Sequence, residues 1–119
     1  MKTPIANDKL DSILAKVEKK GAAAPKLIED LKELRVIALE EGDPLVVKIL
    51  RLTYEFIEDK KSFNVQAQYE EDEEGNEYPL EIEDKENLLY LLSLLKDAEH
   101  KINREEIKDY RTVIKEALY

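Results

Sequence analysis

Cysteine and tryptophan are absent from the 119-residue chain, and only one histidine, three glycines and four prolines occur. Without thiols there can be no disulfide, zinc–thiolate site, iron–sulfur cluster or thiol nucleophile. His100, the sole imidazole, excludes a multi-histidine metal centre. Long apolar runs are missing too: the most apolar stretch, residues 88–95, contains Ser93 and is stopped by Lys96. A membrane helix needs about 20 mostly apolar residues, so no membrane partner is expected. Residues 1–7 lack the apolar run of a secretory signal, which points to a cytoplasmic protein. Cations are in deficit, with 19 Lys and Arg against 28 Asp and Glu and a net charge of −9. An acidic body repels phosphates and anionic lipid headgroups, so nucleic acid is not an expected partner either.

What is present is helical punctuation. Hydrophobic residues make up 43% of the chain and charged residues 39%, the balance of amphipathic helices with wide wetted faces. Leu10, Ile13, Leu14 and Val17 form the stripe of a first helix, closed by Lys19, Lys20 and Gly21. A second is expected to start at Pro25, with Leu27, Ile28, Leu31, Leu34 and Ala38 on its inner face. Gly42 ends it, Asp43 caps a third helix over 44–60, and Pro44 is that helix's first residue. This junction is short enough for an antiparallel helical hairpin. A fourth helix is expected over 84–101, with six leucines between Leu88 and Leu95. Asn103 and Glu106 have the spacing of a capping box for a fifth, carrying Ile107, Tyr110, Ile114 and Leu118.

Residues 63–83 break the helical period. Phe63, Val65, Ala67 and Tyr69 alternate with polar residues, as do Tyr78, Leu80 and Ile82, which predicts two half-buried strands. Gly75-Asn76 suits a two-residue turn, and pairings of Tyr69 with Tyr78 or with Ile82 keep the same face. Pro79 restricts its strand to an edge, and a mobile acidic loop is the alternative. The expected architecture for residues 1–119 is therefore one mainly α domain: an antiparallel bundle of about five helices with a β-hairpin insertion at 63–83.

Chemistry-bearing residues are few. Glu70, Asp72, Glu74 and Glu81 fall at ligand positions of an EF-hand loop aligned on Gly75. Glu77 and Pro79 break that pattern, so a solvated, self-repelling hairpin tip is expected and no metal site. His100 and Ser93 share a helix face but are seven residues apart, roughly 10 Å, too far for a base and nucleophile. His100 is expected in the last turn of the fourth helix, where the dipole favours it. Ser12 and Ser62 have no catalytic surroundings in sequence. Tyr54, Tyr90 and Tyr110 read as core-edge residues with hydroxyls in water. The isolated glycines form no phosphate loop, so no cofactor is expected.

No catalytic, cofactor-binding or metal-ligating residue is therefore expected. A non-catalytic module that binds another protein is the leading expectation. The alternatives are a carboxylate-based enzyme or small-molecule binder with a pocket between helices, and a nucleic-acid mimic. A homodimer is also expected, through the leucines of the fourth helix or the hairpin edge, because three cladding helices are too few to cover those leucines.

Overall fold

The computed structural model describes residues 1–119 as a mainly α five-helix bundle with a small antiparallel β-hairpin insertion. The elements are α1 (Pro4–Lys20), α2 (Leu27–Glu41), α3 (Pro44–Lys60), β1 (Tyr69–Glu71), β2 (Glu77–Pro79), α4 (Asp84–Lys96) and α5 (Lys101–Leu118). One cluster of 28 buried hydrophobic residues runs through all five helices. End-to-end polar ties set the directions. Glu41 accepts from the Lys2 and Thr3 N–H groups, and Asp30 takes Lys9 and Lys16, so α1 and α2 are antiparallel. Lys96 meets Asp11 and Gly21 lies beside Lys85, which makes α1 and α4 antiparallel too. By contrast, Arg104 bonds Asp43 and Tyr119 bonds Glu55, so α3 and α5 lie side by side in the same direction.

The α2–α3 junction follows its sequence signals. Gly42 is left-handed at φ 73° and its N–H reaches the Ala38 and Leu39 carbonyls. Asp43 Oδ1 then accepts from the Val46 N–H at 3.4 Å, with Pro44 as the first helical residue. A Cβ on Gly42 would meet no atom within 4 Å, so a side chain there opposes only the backbone conformation. Gly42→Val should therefore destabilise the fold by about 1 kcal/mol, read as a lower midpoint in urea unfolding. An unchanged midpoint would mean that the left-handed cap contributes nothing.

Helix boundaries differ from expectation where tertiary contacts compete with local signals. The second helix starts at Leu27, not Pro25: buried Ala24 docks after a 3₁₀ turn and Lys26 reverses the chain at φ 62°. The fourth helix stops at Lys96 rather than running to 101, because Ala98 drops into the core at 1% exposure. The Met1 ammonium donates to the Leu95 and Lys96 carbonyls, satisfying that helix end. His100 is consequently not in a last turn. It caps α5, its Nδ1 accepting from the Ile102 N–H at 3.3 Å. Asn103 is not the cap, since its amide donates to the Asp97 carbonyl, and Glu106 is held by the Tyr90 hydroxyl.

The insertion is a hairpin, but shorter and in another register. Tyr69 pairs with Pro79, Glu70 with Tyr78 and Glu71 with Glu77, which puts the two tyrosines on opposite faces. The two-residue Gly75-Asn76 turn does not form. Asp72 closes the loop by accepting at Oδ1 from the Glu74 and Asn76 N–H groups, and Gly75 takes φ 84°. Residues 63–67 keep their alternating burial without a strand partner, Phe63 at 0% and Val65 at 5% exposure. That segment packs on helices instead of on a second strand. With it and α1 and α5 in place, Leu88, Leu91, Leu92, Leu94 and Leu95 are all buried and Leu89 is half-buried. The coverage deficit expected of the fourth helix does not exist, because the extended segment serves as an extra layer.

Candidate functional site

The residues singled out in the sequence do not converge. Asp72 spends its carboxylate on the loop backbone and on the Asn76 amide, and those bonds, Asn76 N–H first, lower its pKa. No group of three or more His, Asp or Glu side chains is placed to hold a metal ion. The Ser93 hydroxyl donates to the Tyr90 carbonyl and Ser62 to Asn64 Oδ1, while Ser12 is exposed on α1. Tyr54 lies under Lys32 Nζ, 5.3 Å from its ring centroid.

Tyr110 departs from the core-edge expectation. It is 1% exposed, and its hydroxyl donates to Asn87 Oδ1 at 2.6 Å and accepts from Gln68 Nε2 at 2.8 Å. Asn87 Nδ2 donates in turn to the Phe63 and Val65 carbonyls at 3.2 and 2.6 Å. Burial pushes the Tyr110 pKa up to about 12, and burial with the Glu106 bond does the same for Tyr90. Neither hydroxyl is acidic near neutrality. A cavity of about 510 Å³ beside Tyr110 is lined by Glu77, Glu106 and Asp109 among others. The carboxylates displaced from their usual range are Asp30, Glu41, Asp43 and Asp72; all are lowered, and none lines this cavity. A general acid needs the opposite shift.

A different surface is chemically distinctive. The chain has four arginines, at 35, 51, 104 and 111, and α2, α3 and α5 gather them on neighbouring faces. Arg35 and Arg51 line a cleft of about 410 Å³ between α2 and α3, together with Lys48, Leu39, Val47 and the Gly42-Asp43-Pro44 turn. Lys48 also borders the adjoining groove between α3 and α5, with Arg111 and Lys115. Arg104 clamps the upper end, bonding Asp43 at 2.9 and 3.3 Å and the Ala98 carbonyl at 3.1 Å. Burial raises the Asp43 pKa, but the Arg104 and Val46 bonds outweigh it and hold the carboxylate below its usual range. Arg35, Lys48, Arg51, Arg111 and Lys115 make no ion pair, although Arg35, Lys48, Arg51 and Arg111 are half-buried. Buried Arg35 Nε has no acceptor in the chain. Such groups are uncommon, because an unmet buried donor costs about 1–3 kcal/mol.

No family model, curated protein or solved structure matches the chain. The reading of this site therefore rests on its own chemistry.

The whole-chain charge hides this cleft. Residues 62–84 contain nine acids and no Lys or Arg, so the remaining residues carry 19 acids and 19 bases. The helical body is neutral, and the net −9 belongs to the inserted segment and its flanks. Charge summed by segment would have exposed this. So would the spacing of Lys101, Arg104, Lys108, Arg111 and Lys115, which repeats every three or four residues and marks one helical stripe.

Proposed function

We propose that this small, mostly helical domain is a non-catalytic protein-interaction module whose docking surface is the arginine-lined cleft. One observation carries the reading: on a chain of net charge −9, Arg35, Lys48, Arg51, Arg111 and Lys115 stand together and none forms an ion pair, Asp43 being taken by Arg104 and Glu116 being the one other carboxylate at the rim. Half-buried guanidinium groups beside apolar Leu39 and Val47 suit a partner segment that mixes carboxylates with apolar or aromatic side chains. A nucleic acid fits this reading less well, because the nine acids of residues 62–84 repel a polyanion and Glu116 borders the groove. The carboxylate-enzyme alternative would need a raised carboxylate pair, and the displaced carboxylates are lowered. No helix is long and apolar enough to cross a membrane, and a cytoplasmic setting for a cysteine-free module belongs to the same proposal.

The test is fluorescence anisotropy with a labelled short peptide of alternating glutamate and tyrosine. Binding should weaken at least about tenfold in Arg35→Glu/Arg51→Glu/Arg111→Glu, since each reversal replaces attraction by repulsion. A lysine–tyrosine peptide, which the acidic arm can attract, should not lose affinity in that variant. Equal affinity for the parent and the reversed variant would overturn the proposal.

A further inference from the structure

The β1–β2 hairpin meets the helices only at one side of its base, where Gln68 bonds Tyr110 and Tyr69 and Glu77 border the cavity over α5. All six of its strand residues are exposed, and neither strand has an extensive contact with any helix. Two strands alone are marginally stable in water, so a hairpin supported by its own bundle only at its base gains from a partner. Tyr69 and Tyr78 are 55% and 45% exposed, one on each face. Around them Glu70, Glu71, Glu73, Glu74 and Glu77 make no ion pair, and none joins this arm to the cleft of its own chain.

The two surfaces answer each other in charge and in apolar content. The arm offers five unpaired glutamates and two exposed tyrosines, and the cleft and groove offer five unpaired cations with Leu39, itself 53% exposed. Guanidinium groups fork onto carboxylates and stack on aromatic rings, so arginine suits both components of the arm. We infer that the occupant of the cleft is the acidic hairpin of a second copy of this chain, exchanged reciprocally in a two-fold dimer. The inference rests on the cleft being a carboxylate-binding surface, as proposed above. Reciprocal exchange fills both clefts and leaves no open arm, whereas a head-to-tail contact leaves one of each free to propagate. Because the body is neutral, repulsion between copies is concentrated in the two arms, and exchange sets each arm against cations.

Light scattering and sedimentation on the intact protein test this. At about 50 mM salt the mass should be twice 13.8 kDa, and at about 500 mM salt it should fall to 13.8 kDa as the charges are screened. Arg35→Glu/Arg51→Glu/Arg111→Glu and Glu70→Lys/Glu73→Lys/Glu74→Lys should each be monomeric at low salt. Mixed in equal amounts they should form a dimer, since each reversed surface then meets its opposite. Circular dichroism on both variants checks that each is folded. A mass of 13.8 kDa for the parent at low salt, or no mass increase on mixing the folded variants, overturns the inference. If the parent is monomeric yet binds the glutamate–tyrosine peptide, the cleft reading stands and the second copy fails as occupant. Failure of peptide binding as well defeats both.

Discussion

Phe63→Ala should destabilise the protein by about 3–5 kcal/mol, the range for removing a fully buried aromatic ring. Phe63 has no exposed surface, meets Phe56 edge-on with centroids 5.9 Å apart, and stacks on Tyr110 at 6.3 Å. It sits just after the left-handed Lys61 that ends α3, in a segment with no ladder partner. That segment is held by Phe63, Val65 and the Asn87 bonds, so the cavity would open where the backbone has least independent support. A domain with a total stability of about 5–15 kcal/mol would be left marginal. Urea unfolding followed by far-ultraviolet circular dichroism measures the change. A loss below about 1 kcal/mol would show that the segment is not part of the cooperative core.

Asn87→Leu should cost about 2–4 kcal/mol although the branching of the side chain is conserved. Asn87 is 2% exposed and does what a neighbouring strand would otherwise do, donating to the carbonyls of both Phe63 and Val65. Leucine removes both donors, and each buried carbonyl left without a partner costs about 1–3 kcal/mol. The Tyr110 hydroxyl also loses its acceptor but keeps Gln68. Tyr110→Phe alone should be milder, about 1 kcal/mol, and in the Asn87→Leu background its effect should shrink to what the Gln68 bond contributes, because the shared bond is already gone. Additive losses in the double variant would mean that the two side chains do not act through each other. A neutral Asn87→Leu would mean that water replaces the amide, and the segment would then be wetter than its burial indicates.

The helices themselves were legible because their causes are local. An apolar stripe, a capping Asp43 and a Gly42 able to take positive φ act within a few residues, and α3 has the expected bounds over Pro44–Lys60. The hairpin was legible as an insertion for the same reason: alternation and a glycine turn are short-range signals. Its register was not. Asp72 competes for the Glu74 and Asn76 N–H groups and closes a loop of different length, which turns Tyr69 and Tyr78 to opposite faces.

By itself the sequence determined the helix content, the α2–α3 junction, the alternating burial of residues 63–67 and the lack of thiol or multi-histidine chemistry. Each follows from residue identity and from spacings shorter than about two helical turns. Only the tertiary structure decided that α4 ends before Ala98, that His100 rather than Asn103 caps α5, and that Asn87 replaces a strand for Phe63 and Val65. It alone brought Arg35, Arg51, Arg104 and Arg111 from three helices to one region and left Arg35 Nε without an acceptor. The Asn87 and Arg104 contacts join groups 22 and 61 residues apart, and the end of α4 is met by Met1, 94 residues from Leu95 in the chain. Local propensity does not encode such pairings; the packing of α3 beside α5 and of the extended segment on α4 does.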